Sequence, residues 1–266
     1  MRIILYILPL ALMLLWTACK QRPPADTDAE NNIRPLNRDS IRQIYEATIA
    51  QKPALLPPAQ IIEPGRLRPV DEAPSDTIFF VYREALLQAI AQKDEFRLLA
   101  MTDGKIRSNP KETGGSLATF VEHWQLGKDK DESAIWARLR QVLQGGGVFS
   151  ADRNTFTAPY YCATLPAVYD AEVFGVITGE GVRLRATPDL QGQVLKTISY
   201  DVVQILETNA TTATVSGETH PWVKVKLADG KEGYIYGKFV GSPLDYRAVF
   251  RRQPNGSWLM TDFYKL

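Results

Sequence analysis

Histidine and cysteine are scarce in this chain, two of each among 266 residues, and that scarcity removes whole classes of chemistry. His123 and His220 stand far apart, and no His-x-x-x-His or Cys-x-x-Cys spacing exists to clasp zinc, so neither metal nor cofactor is expected. Charge of one sign is missing too. The 31 Lys and Arg residues balance 30 Asp and Glu, a formal net of +1, which leaves no broad field to draw in nucleic acid. The one glycine triplet, Gly145-Gly146-Gly147, follows an expected helix instead of preceding one, so it does not present a helix N-terminus to phosphate. The carboxylates Asp103, Asp129, Asp131 and Glu132 read as loop and helix-start residues, with Glu132 placed by the helix dipole. No catalytic constellation emerges, and a non-catalytic protein is expected.

What is present begins at the first residue. Met1 and Arg2 precede an apolar run from Ile3 to Trp16, and Thr17-Ala18-Cys19 follows, the order of an export signal. The run is broken by Pro9 and falls short of the roughly 20 apolar residues that span a bilayer. Its end, Trp16-Thr17-Ala18-Cys19, resembles the lipobox of bacterial lipoprotein signals. The resemblance implies removal of residues 1–18, lipid on Cys19 and attachment to a membrane. Buried acyl CH₂ groups contribute about 0.8 kcal/mol each, so two or more chains hold a soluble domain on a bilayer. Lys20, where some lipoproteins carry a retention aspartate, implies the outer membrane, facing the periplasm. Cys162 is then the one thiol left in the mature chain, and no intramolecular disulfide can form.

The remainder divides by composition. Residues 19–75 carry nine prolines and few aromatics, which predicts an extended tether, with a short docking helix over Asp39 to Gln51. From Ser75 or Asp76 a 3.6-residue period through Ile78, Phe79, Tyr82, Ala85, Leu86, Ala89, Ile90, Phe96, Leu98 and Leu99 predicts helix. Further helices are expected over Ser116 to Leu126 and Glu132 to Gln144, the last closed by the glycine triplet. Strands are expected over Thr155 to Cys162 and Glu172 to Thr178, and a hairpin around Pro254-Asn255-Gly256. An isolated hairpin is marginal in water, so residues 244–266 should return to the helical domain, residues 76–175.

Residues 182–208, VRLRATPDLQGQVLKTISYDVVQILET, and 221–240, PWVKVKLADGKEGYIYGKFV, resemble a bacterial Src-homology-3 domain, with a domain span of 176–243. The marks are Leu184-Arg185, the Thr187-Pro188 turn, a Trp strand, Asp229-Gly230 as a type I′ turn, and Gly233-Tyr234-Ile235. Strand alternation places Val223, Val225, Leu227 and Ile235 inside and exposes Trp222, Tyr234 and Tyr236, the candidate ligand-binding residues. The alternative for these three is packing against the helical domain. In proline-binding relatives a Trp, a Pro and a Tyr line the groove; here those positions hold Trp222, Tyr236 and Phe239, which disfavours polyproline. The flanking helices and tail resemble uncharacterised envelope proteins that carry such a domain. The fold class expected is therefore α+β: a helical domain completed by a small sheet, plus a small all-β barrel. The expected partner is a cell-wall peptide or an envelope protein. The rival reading is a wall amidase or cysteine peptidase using Cys162 and His220.

Overall fold

The computed structural model describes residues 38–51, 63–111, 113–128 and 131–266. Cys19 and the signal-like segment lie outside the described residues, as do 52–62 of the expected tether. Residues 38–266 make one unit. Among the described residues no helix is long and apolar enough to cross a membrane.

Six helices, α1 (Arg38–Gln51), α2 (Thr77–Gln92), α3 (Glu95–Ala100), α4 (Leu117–His123), α5 (Ile135–Gln144) and α6 (Tyr161–Thr164), carry most of the helical body. Asp76 caps α2 by accepting the Phe79 amide at 2.9 Å, and Ser116 caps α4 through the Thr119 amide. The period expected to run on from α2 breaks at Lys93, which takes φ 51°, and Asp94 starts a new helix. That break resets the phase. Leu98 points into the core while Phe96 is left 80% exposed. Helix α5 begins at Ile135, so Glu132 is an exposed loop residue and does not open it.

In chain order, β1 (Thr102–Arg107), β2 (Val148–Phe149) and β3 (Thr155–Ala158) belong to the body. Then come β4 (Phe174–Ile177), β5 (Val182–Arg185), β6 (Val194–Ile198), β7 (Val202–Glu207), β8 (Thr212–Val215), β9 (Glu218–Lys226), β10 (Glu232–Tyr236) and β11 (Val240–Gly241). The chain closes with β12 (Arg247–Arg252) and β13 (Trp258–Tyr264). The body sheet has the order β1-β13-β12-β3-β2, with β13 parallel to β1 and β12 antiparallel to β3. The tail thus supplies two interior strands to a sheet begun over 150 residues earlier, and the intervening strands β4 to β11 form a separate barrel sheet. The barrel is an insertion between β3 and β12.

Two cores follow from this topology. The body's is aromatic: Phe79 of α2 meets the rings of Phe156, Trp258 and Phe250 at 4.3, 4.9 and 5.5 Å, pairs that each add about 0.5–1.5 kcal/mol beyond area burial. The barrel's is aliphatic, built on Ile177, Val182, Leu184, Val203, Val223, Val225 and Ile235. One charged pair joins the sheet's distant halves: Arg107 of β1 binds Asp262 of β13, whose side chain is 2% exposed. Removing Arg107 would leave the Asp262 carboxylate buried and uncompensated, whereas removing Asp262 would leave an arginine that is 35% exposed and can turn to water, a smaller cost.

Four local expectations need correction. Residues 63–75 are not a loose tether: Leu67 donates its amide to Tyr200 O at 2.8 Å on the barrel side, and Glu72 to Gly147 O at 2.8 Å on the body. We call this segment the strap. It passes over Gly146, whose φ is +67° and where a Cβ would stand 2.4 Å from Val70 O, so no side chain fits. Second, β3 ends at Ala158, since Pro159 has no amide hydrogen for the ladder, and Tyr161 to Thr164 turn into α6 where a strand was expected. Third, only Gly230 of the Asp229-Gly230 pair has positive φ (82°). Gly230 N bonds Leu227 O and Leu227 N bonds Lys231 O, both at 2.9 Å, a longer loop than a type I′ turn. Fourth, α4 ends at His123, short of Leu126.

Candidate functional site

The barrel carries a groove of about 240 Å³ between the β5–β6 loop and the turn after β10. Trp222, Tyr236 and Phe239 line it with Leu190, Val182 and Val215, and Glu180 and Arg183 stand among them. Local sequence places each piece. Trp222 lies opposite Tyr236 in the β9–β10 ladder, and their rings meet edge to face at 5.7 Å. Phe239 sits in the short 3₁₀ turn Gly237–Phe239, its ring 6.4 Å from that of Tyr236.

The β5–β6 loop is held before any ligand arrives. Arg185, buried to 9%, donates to Gly192 O at 2.7 Å, and the Asp189 carboxylate accepts the Gln191 amide at 2.7 Å. The Thr187 hydroxyl and those amides hold the Asp189 carboxyl below the usual carboxylate range. Leu190 at the tip is 48% exposed and forms one wall. A fixed loop loses little entropy on binding.

The three sequence-derived candidates fare differently. Trp222 and Tyr236 come together in the groove, but both are buried, at 1% and 6% exposure, where strand alternation had put them outside. Alternation tells which face a residue takes, and on this face the β8–β9 hairpin, through Tyr236 Oη to Ala213 O and Glu218 O, and the Phe239 ring lie against the pair. Tyr236 also ties down the β8–β9 hairpin, donating its hydroxyl to Glu218 O at 2.6 Å. Tyr234 does not line the groove; it is half-buried opposite Lys224 and Arg185. The groove's accessible apolar surface is instead Leu190 and Phe239, which is 36% exposed. Phe239 falls at the tyrosine position of proline-binding relatives, a signal available in the sequence, whereas Leu190 carries no pattern of its own. The buried indole Nε1 of Trp222 has no hydrogen-bond acceptor among the described residues, and an orphaned donor of this kind costs about 1–3 kcal/mol.

The thiol of the rival reading, Cys162, is free and partly buried beside Arg247 and Asp245. Burial, the largest cause, pushes Cys162 up to about 12, outweighing the nearby Arg247 charge; Asp245 pushes the same way. His220 is engaged elsewhere, with Nε2 3.5 Å from a Glu218 carboxylate oxygen and its ring edge-on to Tyr236. Among the described residues no group of three or more His, Cys, Asp and Glu is placed to hold a metal.

Barrel strand order, the loop and the 3₁₀ turn give residues 180–241 the layout of an SH3-type barrel. Residues 180–241 match the family model of the bacterial SH3 domain. No curated protein and no solved structure matches the chain.

Proposed function

We propose that this chain is a non-catalytic lipoprotein of the bacterial cell envelope. Lipid on Cys19 anchors it, in the outer membrane facing the periplasm, and the barrel groove recognises a cell-wall peptide or an envelope protein. The observation that carries the reading is the preformed groove floored by Trp222 and Tyr236 and walled by Leu190 and Phe239. Bacterial SH3 domains are general binding modules, and a groove of about 240 Å³ suits one or two small residues of an extended peptide better than a long polyproline helix. The signal-like start ending in Trp16-Thr17-Ala18-Cys19 supports the anchor.

Two measurements test this together. A fatty-acid probe should label the chain in growing bacteria, and Cys19→Ser should abolish the label; label persisting in that variant would contradict the anchor. Purified cell-wall sacculi and envelope extract should each be offered to the soluble portion. Leu190→Asp or Phe239→Ala should reduce capture by whichever holds the partner tenfold or more, with melting unchanged. Equal capture by the variants would contradict the groove.

A further inference from the structure

A second concavity, of about 1240 Å³, opens among the strap, α5, the start of β9 and the tail. It is larger than the 300–1,000 Å³ of ordinary small-molecule sites and lies at a domain junction, where ligand sites concentrate. The barrel groove shares none of its lining residues.

The charges of this cleft can be counted. Its four carboxylates are all engaged by cations: Asp71 and Glu84 by Arg83, at 2.7 and 3.7 Å; Glu218 by Lys238, at 2.7 Å; and Asp245 by Lys265, at 3.8 Å. Two cations remain. Arg138 and Arg140 of α5 line the cleft, are exposed, and have no carboxylate partner among the described residues. Arg138 lies over the Tyr246 ring, 5.7 Å from its centroid, which gives the guanidinium a fixed seat on the wall. Behind the wall, Arg83 is 4% exposed and bound to Asp71 through Nη1, while its buried Nε has no acceptor among the described residues. Gln141 and Gln144 add amides that can pair with a peptide main chain.

We propose that this cleft binds an acidic peptide, with Arg138 and Arg140 taking its carboxylates. Guanidinium and carboxylate match in bidentate geometry, and although Arg83 serves both Asp71 and Glu84, the five Lys and Arg residues lining the cleft outnumber its four carboxylates, so the surplus positive charge falls on the two arginines that no acid holds. A nucleic acid is a poorer fit, because two spare cations neutralise few phosphates and the chain's net charge is only +1.

The probe is a fluorescein-labelled hexapeptide carrying three glutamates, with its glutamine counterpart as control, read by anisotropy on the chain with Cys19→Ser. The acidic peptide should bind, the glutamine peptide at least tenfold more weakly, and Arg138→Gln with Arg140→Gln should lose tenfold or more at unchanged melting temperature. Arg138→Glu with Arg140→Glu should in turn bind a lysine version of the peptide, which a folding defect cannot produce. Leu190→Asp, in the barrel groove, should leave acidic-peptide binding intact whether or not that groove serves as proposed above. The proposal is overturned if the arginine variants bind normally, if the charge-reversed pair shows no exchange of preference, or if Leu190→Asp is the change that abolishes binding. It is overturned as to ligand class if inorganic phosphate displaces the peptide at lower concentration than unlabelled peptide does.

Discussion

Deleting Asp245 to Leu266 is expected to unfold the helical body while leaving the barrel folded. Strands β12 and β13 occupy interior positions of the body sheet, so their loss strips partners from β1 and β3 together. It also removes Phe250, Trp258, Met260 and Phe263, all 0–2% exposed, from the body core. Truncating even one such side chain to alanine costs about 2–5 kcal/mol. Removing all four, with the strands, exceeds the roughly 5–15 kcal/mol that separates folded from unfolded domains. Asp262 leaves as well, abandoning Arg107. The barrel's aliphatic cluster contains no residue from the tail. Hydrogen exchange should therefore show amides of residues 77–158 at unfolded rates and those of 180–241 still protected. A protected body in the truncated chain would contradict the insertion topology.

The second large effect is expected at Trp222. As a residue 1% exposed and set against Tyr236, it acts as core, and Trp222→Ala should cost the barrel about 3–5 kcal/mol. A barrel of some sixty residues buries a modest fraction of its surface and has little stability in reserve. Its unfolding midpoint in urea should fall sharply, and groove binding should track the folded fraction. Trp222→Phe, which keeps a ring but drops the unpartnered Nε1, should retain most of the stability. A Trp222→Ala barrel within about 1 kcal/mol of the parent would show that the indole is a surface group.

These two cases mark where the sequence was legible and where it was not. The amphipathic period of α2, the cap at Asp76, the barrel strands and the hairpin of the tail were written in short-range pattern, and the tail's return to the body followed from its aromatic content. Strand β1 was not readable. Within Thr102–Arg107 only Thr102 and Ile106 are buried, so alternation is faint, and its partner lies over 150 residues away. The strap was misread for a related reason: its proline-rich composition describes a chain without its own core, while its order comes from hydrogen bonds to Tyr200 and Gly147, which composition does not encode. At the groove, alternation paired Trp222 with Tyr236 correctly, but burial on that face depends on the β8–β9 hairpin and Phe239 packing against it. Such cover is a tertiary fact, and it leaves Leu190 and Phe239 as the accessible contact surface.

The barrel groove as recognition surface is tested most directly by the indole resonances of Trp124, Trp136, Trp222 and Trp258, assigned by substitution and followed while soluble cell-wall peptides or an isolated envelope partner are added. The proposed function predicts that the Trp222 Nε1–H signal moves downfield as it gains an acceptor or as the groove is occupied, together with the amides of Leu190 and Phe239, while Trp124, Trp136 and Trp258 of the body stay still. Saturable binding that leaves the Trp222, Leu190 and Phe239 signals unmoved would contradict it.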